Sequence, residues 1–452
     1  MKDNQRPKLH YTPQSGMLND PNGLYYDEAT GLYHVYYQYQ YSTMGDCKLF
    51  WGHAFGKSLL SLTQDEPVMS YDENGATFSG SACIDYDNHS GLFPAESDPR
   101  QRAFFAYTVC DLETRREYQQ CAYSCDGWKV VRDKIIIQNE KDVYGLNFFR
   151  DPALFRHDGK WFIMTGGGYV RLFVSDDLLN WEYQSTVKNV PVEEDKIVDD
   201  MKAIQKYLPL NDPNHENVIA ECPDVCRLKD GEKEYFVLSG GGVFYVVGDI
   251  QRKNGVYQFL PEGGRKKAVY SADFFSGKGE AYAMQTVYGE KDRTQALFWL
   301  RDLPKEENKP YNGCLSLPYE MSLNKGRVRY SFSREIYKLI QQSQVGPVEE
   351  QKDAAPVYLK ADGEGSFVFK GTGIVFETSQ DGLKILLEGK EGYTENMFVP
   401  ACGEQPSLEL IVDKYIVEGI FCGKVFSFFL PLDTQCVLMQ EQGFESFQTV
   451  SL

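Results

Sequence analysis

Asp151-Pro-Ala-Leu-Phe, the turn Asp158-Gly159, then Trp161-Phe-Ile-Met-Thr closing on Gly166-Gly-Gly is the stretch that decides the fold, because the chain repeats its plan. Pro223-Asp-Val-Cys leads to Asp230-Gly231 and a run that closes on Gly240-Gly-Gly, and Asp20-Pro-Asn-Gly-Leu leads to a turn at Gly31 and another aromatic run. Units also end alike, on Ser124-Cys-Asp-Gly-Trp and Ser175-Asp-Asp-Leu-Leu-Asn-Trp. Short apolar runs bounded by Gly, Asp and Asn read as strands. A small sheet repeated along a chain cannot bury both of its faces alone, so its neighbours must stack on it, as propeller blades do. Five units fit this plan, at about 17–62, 75–136, 147–187, 217–262 and 268–330. The Gly triplets are turns at strand ends, since neither opens a helix nor carries the Lys-Ser/Thr of a phosphate loop.

Two stretches depart from the repeat. Residues 190–213 place Ile197, Val198, Met201, Ile204 and Leu208 on one helical face, with Glu193 to Asp195 at its start and Pro209 at its end; this predicts an inserted helix. Residues 341–356 are polar and proline-bearing and read as a linker. Beyond it, residues 357–452 alternate again and predict a β-sandwich, so the expected class is all-β, a five-bladed β-propeller over 1–340 followed by a C-terminal β-sandwich.

With 452 residues the chain can bury a large core, and its 14% aromatic content favours strands. A formal net charge of −18 argues against nucleic acid or an anionic membrane as partner. The 11 cysteines are odd in number and scattered, which suits free thiols in a reducing compartment. The first residues carry no apolar stretch and no 18-residue apolar run occurs, so the expectation is a cytoplasmic chain without a membrane span. No metal site is expected, because none of the six histidines forms a His-x-x-x-His pair or sits beside a Cys pair, and no dinucleotide fingerprint or Gly-x-Ser-x-Gly occurs. No cofactor is expected either.

In Asn19-Asp-Pro-Asn-Gly23 proline fixes its own backbone and pushes Asp20 towards an extended conformation. Alone this is a turn before a strand. In a propeller, however, residues opening successive blades converge on one end of the axis. Asp20, Asp151 and Glu221 all hold such positions, each beside a proline or one residue from it. Carboxylates forced together cannot all ionise normally; one keeps its proton while another stays charged, the division of labour that glycoside hydrolysis requires. Arg150 is expected to keep Asp151 ionised, and Cys222 and Pro223 to give Glu221 a drier setting with fewer donors. Singly, each acid also reads as a turn cap or surface ion pair.

These residues resemble glycoside hydrolase family 32, the invertase, inulinase and levanase group. Leu18-Asn-Asp-Pro-Asn-Gly is similar to its nucleophile motif, Trp51-Gly-His to its Trp-Gly-His, Phe78-Ser-Gly-Ser to its Phe-Ser-Gly-Ser, Arg150-Asp-Pro and Glu221-Cys to two further signatures, and Val412-Asp-Lys-Tyr-Ile-Val-Glu to its sandwich motif. The resemblance implies action on β-linked fructofuranosides, a small carbohydrate substrate. Asp20 would attack, Glu221 would be acid and base, and Asp151 would hold fructose hydroxyls. Asn19, Gln38, Trp51, Phe78 and Ser79 would line the fructose pocket, with Arg150 orienting the acids. The chain departs where the family's Gln-Tyr-Asn-Pro becomes Gln38-Tyr-Gln-Tyr. The expected activity is therefore a retaining β-fructofuranosidase on sucrose or short fructo-oligosaccharides. A fructosyltransferase, a sucrose-phosphate hydrolase (with Lys266, Lys267 or Arg293 as anchors) and a non-catalytic fructan-binding protein are the alternatives.

Overall fold

The computed structural model describes residues 6–43, 48–71, 75–139, 149–167, 170–187, 190, 221–241, 244–271, 281–301, 310–343, 355–370, 372–389, 392–430 and 437–452. The helix expected within 190–213 lies outside the described residues, apart from Val190.

Five antiparallel sheets follow one another in chain order, the first four built from strands that are sequence neighbours and the fifth with Tyr311–Asn312 and Cys314–Leu315 intervening between its second and third strands. Blade 1 comprises Gly16–Asp27, Leu32–Gln40, Phe50–Gly56 and Thr63–Ser70; blade 2 comprises Ala76–Ile84, Ala103–Cys110, Glu117–Ser124 and Val131–Ile137. Blade 3 runs Arg150–His157, Lys160–Gly166, Arg171–Ser175 and Glu182–Thr186; blade 4 runs Pro223–Asp230, Lys233–Gly240, Phe244–Lys253 and Val256–Pro261. Blade 5 is formed by Ala281–Thr286, Thr294–Leu300, Tyr319–Asn324 and Arg327–Phe332. The first strand of each blade touches the first strand of the next, and that of blade 5 touches that of blade 1, so the ring closes on a central axis. Tyr311–Asn312 add to the inner edge of blade 1 in parallel, pairing with Gly16 and Met17, which ties the last turn of the ring to the first. Aromatic side chains fill the seams between blades: Tyr36, Trp51, Phe105 and Tyr107 between blades 1 and 2, Phe155, Phe162 and Phe236 between 3 and 4.

Behind the propeller two sheets stack as a β-sandwich. One contains Val357–Asp362, Ser407–Asp413, Ile416–Phe421, Lys424–Phe429 and Ser446–Ser451; the other contains Gly365–Lys370, Ile374–Thr378, Gly382–Gly389, Gly392–Pro400 and Val437–Gln442. Three details differ from the sequence reading. The first blade runs past its expected end at about 62, since its outer strand is Thr63–Ser70. Val269–Ser271, expected to open the fifth blade, pairs in parallel with Lys424–Phe429 and extends the sandwich sheet. The expected linker starts inside a short helix, Arg334–Gln342, whose Ile336 is buried. The signal was present, as Ser333 stands at the N-cap position, Glu335 in the first turn, and Ile336 and Ile340 share a face.

The first strands of blades 1, 2, 3 and 5 share a local device that positions the site. Their ladders slip by one residue between Leu18 and Pro21, between Thr77 and Gly80, opposite Met164 and Gly166, and between Tyr282 and Gln285. Each slip is a β-bulge, with two residues facing one, which turns side chains that would otherwise alternate. The residues in the bulges are Asn19 and Asp20, Phe78 and Ser79, Asp151 and Pro152, and Ala283 and Met284. Asp151 (φ 59°), Cys222 (φ 46°) and Ala283 (φ 52°) are held in the left-handed region, uncommon for non-glycine residues. A narrow cavity on the axis, lined by Pro21, Ser79, Asp151, Cys222 and Ala283 among others, is where these five blades meet.

Candidate active site

Bulges place Asp20 and Asp151, and the left-handed turn at Cys222, just ahead of the unbulged first strand of blade 4, brings Glu221 to the same cysteine. Cys222 Sγ lies 3.5 Å from Asp20 Oδ2 and 3.6 Å from Asp151 Oδ2, while its backbone N–H donates to Asp151 Oδ2 at 2.9 Å. Ser79 Oγ donates to the same Asp20 oxygen at 2.7 Å. Asp151 is further anchored through its backbone N–H, which donates to Thr108 Oγ1 at 2.8 Å. Arg150 reaches across to Glu221, Nη1 to Oε1 at 2.7 Å, and its other side grips Glu117 through Nε and Nη2. Tyr282 OH donates to Glu221 Oε2 at 3.3 Å.

Burial sets the proton inventory. It pushes the Asp20 carboxyl up to about 6; Glu221's charge adds to this, and the Ser79 hydrogen bond opposes it. Burial also pushes Asp151 up to about 8, against the opposing charge of Arg150 and with the help of Glu221 and Asp20. Both aspartates are therefore held towards their protonated forms, Asp151 the more strongly. Two expectations are corrected here. The charge of Arg150 favours ionised Asp151 but is outweighed by burial, and its guanidinium makes its hydrogen bonds to Glu117 and Glu221. Glu221 is not short of donors, since it accepts from Arg150 and Tyr282, and its side chain is 29% exposed.

The other expected pocket residues fall into two groups. Phe78 and Ser79 lie beside the acids, with the Arg150 guanidinium 5.4 Å over the Phe78 ring. Asn19 Oδ1 and Gln38 Oε1 are buried and have no hydrogen-bond partner among the described residues. Trp51 does not line the pocket surface: it is fully buried, and its indole N–H donates to Phe78's carbonyl at 3.0 Å. It supports the pocket from below. Arg293, a suggested phosphate anchor, is occupied by Glu290, Glu320 and Glu335, away from the acids.

A family model described as the glycosyl hydrolases family 32 N-terminal domain matches residues 10–332. The chain belongs to glycoside hydrolase family 32. Among curated proteins it is similar to invertase 1 of Saccharomyces cerevisiae (37% identical over 197 residues, 41% of this chain and 35% of that one). It is also similar to the invertase of Schizosaccharomyces pombe (29% over 364 residues, 70% of this chain and 57% of that one) and to the fructan beta-fructosidase of Streptococcus mutans (29% over 288 residues, 63% and 17%). The chain thus spans 35% of the length of the first curated relatives it matches. Solved structures agree on the fold. Fructan 1-exohydrolase IIa of Cichorium intybus, in complex with 1-kestose, superposes with a TM-score of 0.73 at 17% identity, covering 100% of this chain and 98% of that one. A fructofuranosidase variant from Schwanniomyces occidentalis, complexed with fructosylnystose, gives 0.72 at 20% identity, covering 99% and 97%.

Within this family-32 chain, sequence reading missed the residues that hold the acids in place. Glu117 is 1% exposed; besides gripping Arg150 it accepts the Phe149 N–H at 2.7 Å. Nothing near it in sequence marks it. Tyr282 opens Tyr282-Ala-Met-Gln-Thr, whose bulge turns it towards Glu221. Gly241 is the backing for that ring, as a Cβ there would come within 2.7 Å of it.

Proposed function

We propose that this chain is a retaining β-fructofuranosidase that cleaves sucrose or short fructo-oligosaccharides through a covalent fructosyl-enzyme. The observation that carries this reading is the meeting of Asp20, Asp151 and Glu221 from three blades around Cys222 and Arg150. The names of the relatives, invertase and fructan beta-fructosidase, supply the sugar.

Each residue has a task that its surroundings allow. Asp20, with one oxygen fixed by Ser79, attacks the anomeric carbon through the other as the bond to the leaving oxygen breaks. Glu221, whose side chain is 29% exposed, takes up a proton from solvent as substrate binds and gives it to that oxygen; later it takes one from the water that cleaves the Asp20 ester. Arg150 and Tyr282 hold both its oxygens in place. Asp151, which burial holds towards its protonated form, hydrogen-bonds a fructose hydroxyl and limits the charge beside the nucleophile. The acceptors of Asn19 and Gln38, which no described residue engages, take hydroxyl hydrogens of the same ring. A cytoplasmic setting belongs to the same proposal, on the strength of nine free cysteines among the described residues.

The test is fructose release from sucrose, with Asp20→Ala and Glu221→Ala as controls. Loss of turnover in both is expected. Near-native turnover in either would overturn the assignment of roles, and a shortfall of fructose relative to glucose at high sucrose would make the enzyme a transferase.

A further inference from the structure

A row of aromatic rings leaves the candidate site along blade 1. Leu18, next to Asn19 and Asp20 on the first strand, pairs with Tyr39 on the second; Tyr39 pairs with Phe50 on the third, and Phe50 with Ser70 on the fourth. Tyr41 and Tyr71 follow just past the ends of the second and fourth strands, at the end of the blade where Asp20 sits. The rings touch edge to face in sequence, with centroids 5.1 Å apart for Tyr39–Tyr41, 5.1 Å for Tyr41–Phe50 and 5.7 Å for Phe50–Tyr71. Three strand spacings, about 15 Å, separate the strand that carries Asp20 from the strand that ends before Tyr71. The inner ring of the row, Tyr39, is buried, whereas Tyr41 is 59% and Tyr71 37% exposed, so the two outer rings face solvent. Tyr41 stands where the resembling family motif has proline, so the most exposed ring of the row is a feature of this sequence.

We propose that Tyr41, Phe50 and Tyr71 form a subsite for the sugar units of an oligosaccharide that extend beyond the fructose held at Asp20. This rests on the β-fructofuranosidase reading and adds chain length to it. Sugar rings offer C–H faces to aromatic rings and hydroxyls to a tyrosine O–H, and an aromatic ring held by its neighbours loses little freedom on binding. The net charge of −18 suits a neutral ligand better than a polyanion. Three rings are also far short of the roughly 800 Å² per partner of a stable protein–protein interface.

Calorimetry with an inulin-type pentasaccharide and with sucrose, in a Glu221→Gln background, tests this directly. Tyr41→Ala is expected to weaken the pentasaccharide by about 3–10-fold, the contribution of one aromatic contact, and to leave sucrose within about twofold. Tyr41→Phe should restore most of that affinity. In the otherwise native enzyme, Tyr41→Ala should raise KM for the pentasaccharide with kcat unchanged. Equal weakening of both sugars, or of neither, would overturn the proposal, as would a change in oligomeric mass, which would make the row a contact between copies. If the enzyme turns over no fructoside but binds the pentasaccharide through Tyr41, the subsite stands and the hydrolase reading falls. If it turns over fructosides with no dependence on Tyr41, the hydrolase reading stands and the subsite falls.

Discussion

Two buried clusters of carboxylates, one at the end of the propeller axis and one between propeller and sandwich, meet opposite fates. In the second, His10 lies between Asp413 and Glu418, with Nδ1 to Asp413 Oδ2 at 2.8 Å and Nε2 to Glu418 Oε2 at 2.6 Å. Asp413 also accepts the N–H groups of Lys8, Leu9 and His10, and Glu418 accepts from the Leu317 N–H and the Tyr319 hydroxyl. Burial alone would lower the His10 pKa, but its two carboxylate partners outweigh it and raise it to about 9. Asp413 is correspondingly held below the usual carboxylate range, its hydrogen bonds from His10 and the backbone overcoming burial. At the axis, Asp20 and Asp151 share one thiol and few other donors, and both are pushed up. Supply of donors, not burial, separates the two. The satisfied cluster fastens the N-terminal segment, blade 5 and the sandwich; the undersupplied one is left reactive.

Breaking each cluster should give opposite results. Asp20→Asn removes the nucleophile and should lower kcat by at least about 10³-fold in a fructose-release assay, without loss of thermal stability. His10→Ala strands two buried carboxylates and should cost about 3–5 kcal/mol in denaturant unfolding, with turnover per folded molecule unchanged. Asp151→Asn should stabilise the fold by about 1–3 kcal/mol at pH 8 and above, since it removes the need to ionise a buried acid. That gain should vanish below about pH 4, where both folded and unfolded Asp151 are protonated. A pH series sharpens the contrast. The stability that His10 contributes is complete below its unfolded pKa near 6.5 and is lost as pH rises through about 9. Calorimetric unfolding of the native chain should therefore show falling stability over that window, and the slope should shrink in His10→Gln. Smallest of all, Tyr282→Phe should reduce kcat/KM about 2–10-fold, the effect of losing one hydrogen bond to Glu221.

How far these clusters could be read beforehand follows from where their information lies. The acids were legible because each sits beside a proline or one residue from it at the start of a repeated unit, and the repeat itself implied an axis. Asp413 and Glu418 were visible as a motif, but His10 lies some 400 residues away and nothing local assigns it to them. Arg150 was identified and its target mistaken: adjacency to Asp151 suggested a pair, whereas the strand turns neighbouring side chains apart and sends the guanidinium to Glu117 and Glu221. Trp51 was placed in the pocket on its motif, although its burial depends on rings from blade 2 that sequence could not rank. Val269–Ser271 has the look of any short strand; which sheet takes it is decided by a partner edge at Val425.

The proposed mechanism requires an oxygen of Asp20 to form a covalent bond to the sugar. Glu221→Gln slows the second step more than the first when the leaving group needs no acid, so an activated fructoside should let the ester accumulate. Mass spectrometry of that variant after brief incubation and acid quench should find one fructosyl adduct, mapped to the peptide carrying Asp20. An adduct on another residue, or complete turnover of the activated fructoside with Asp20→Asn in place, would contradict it.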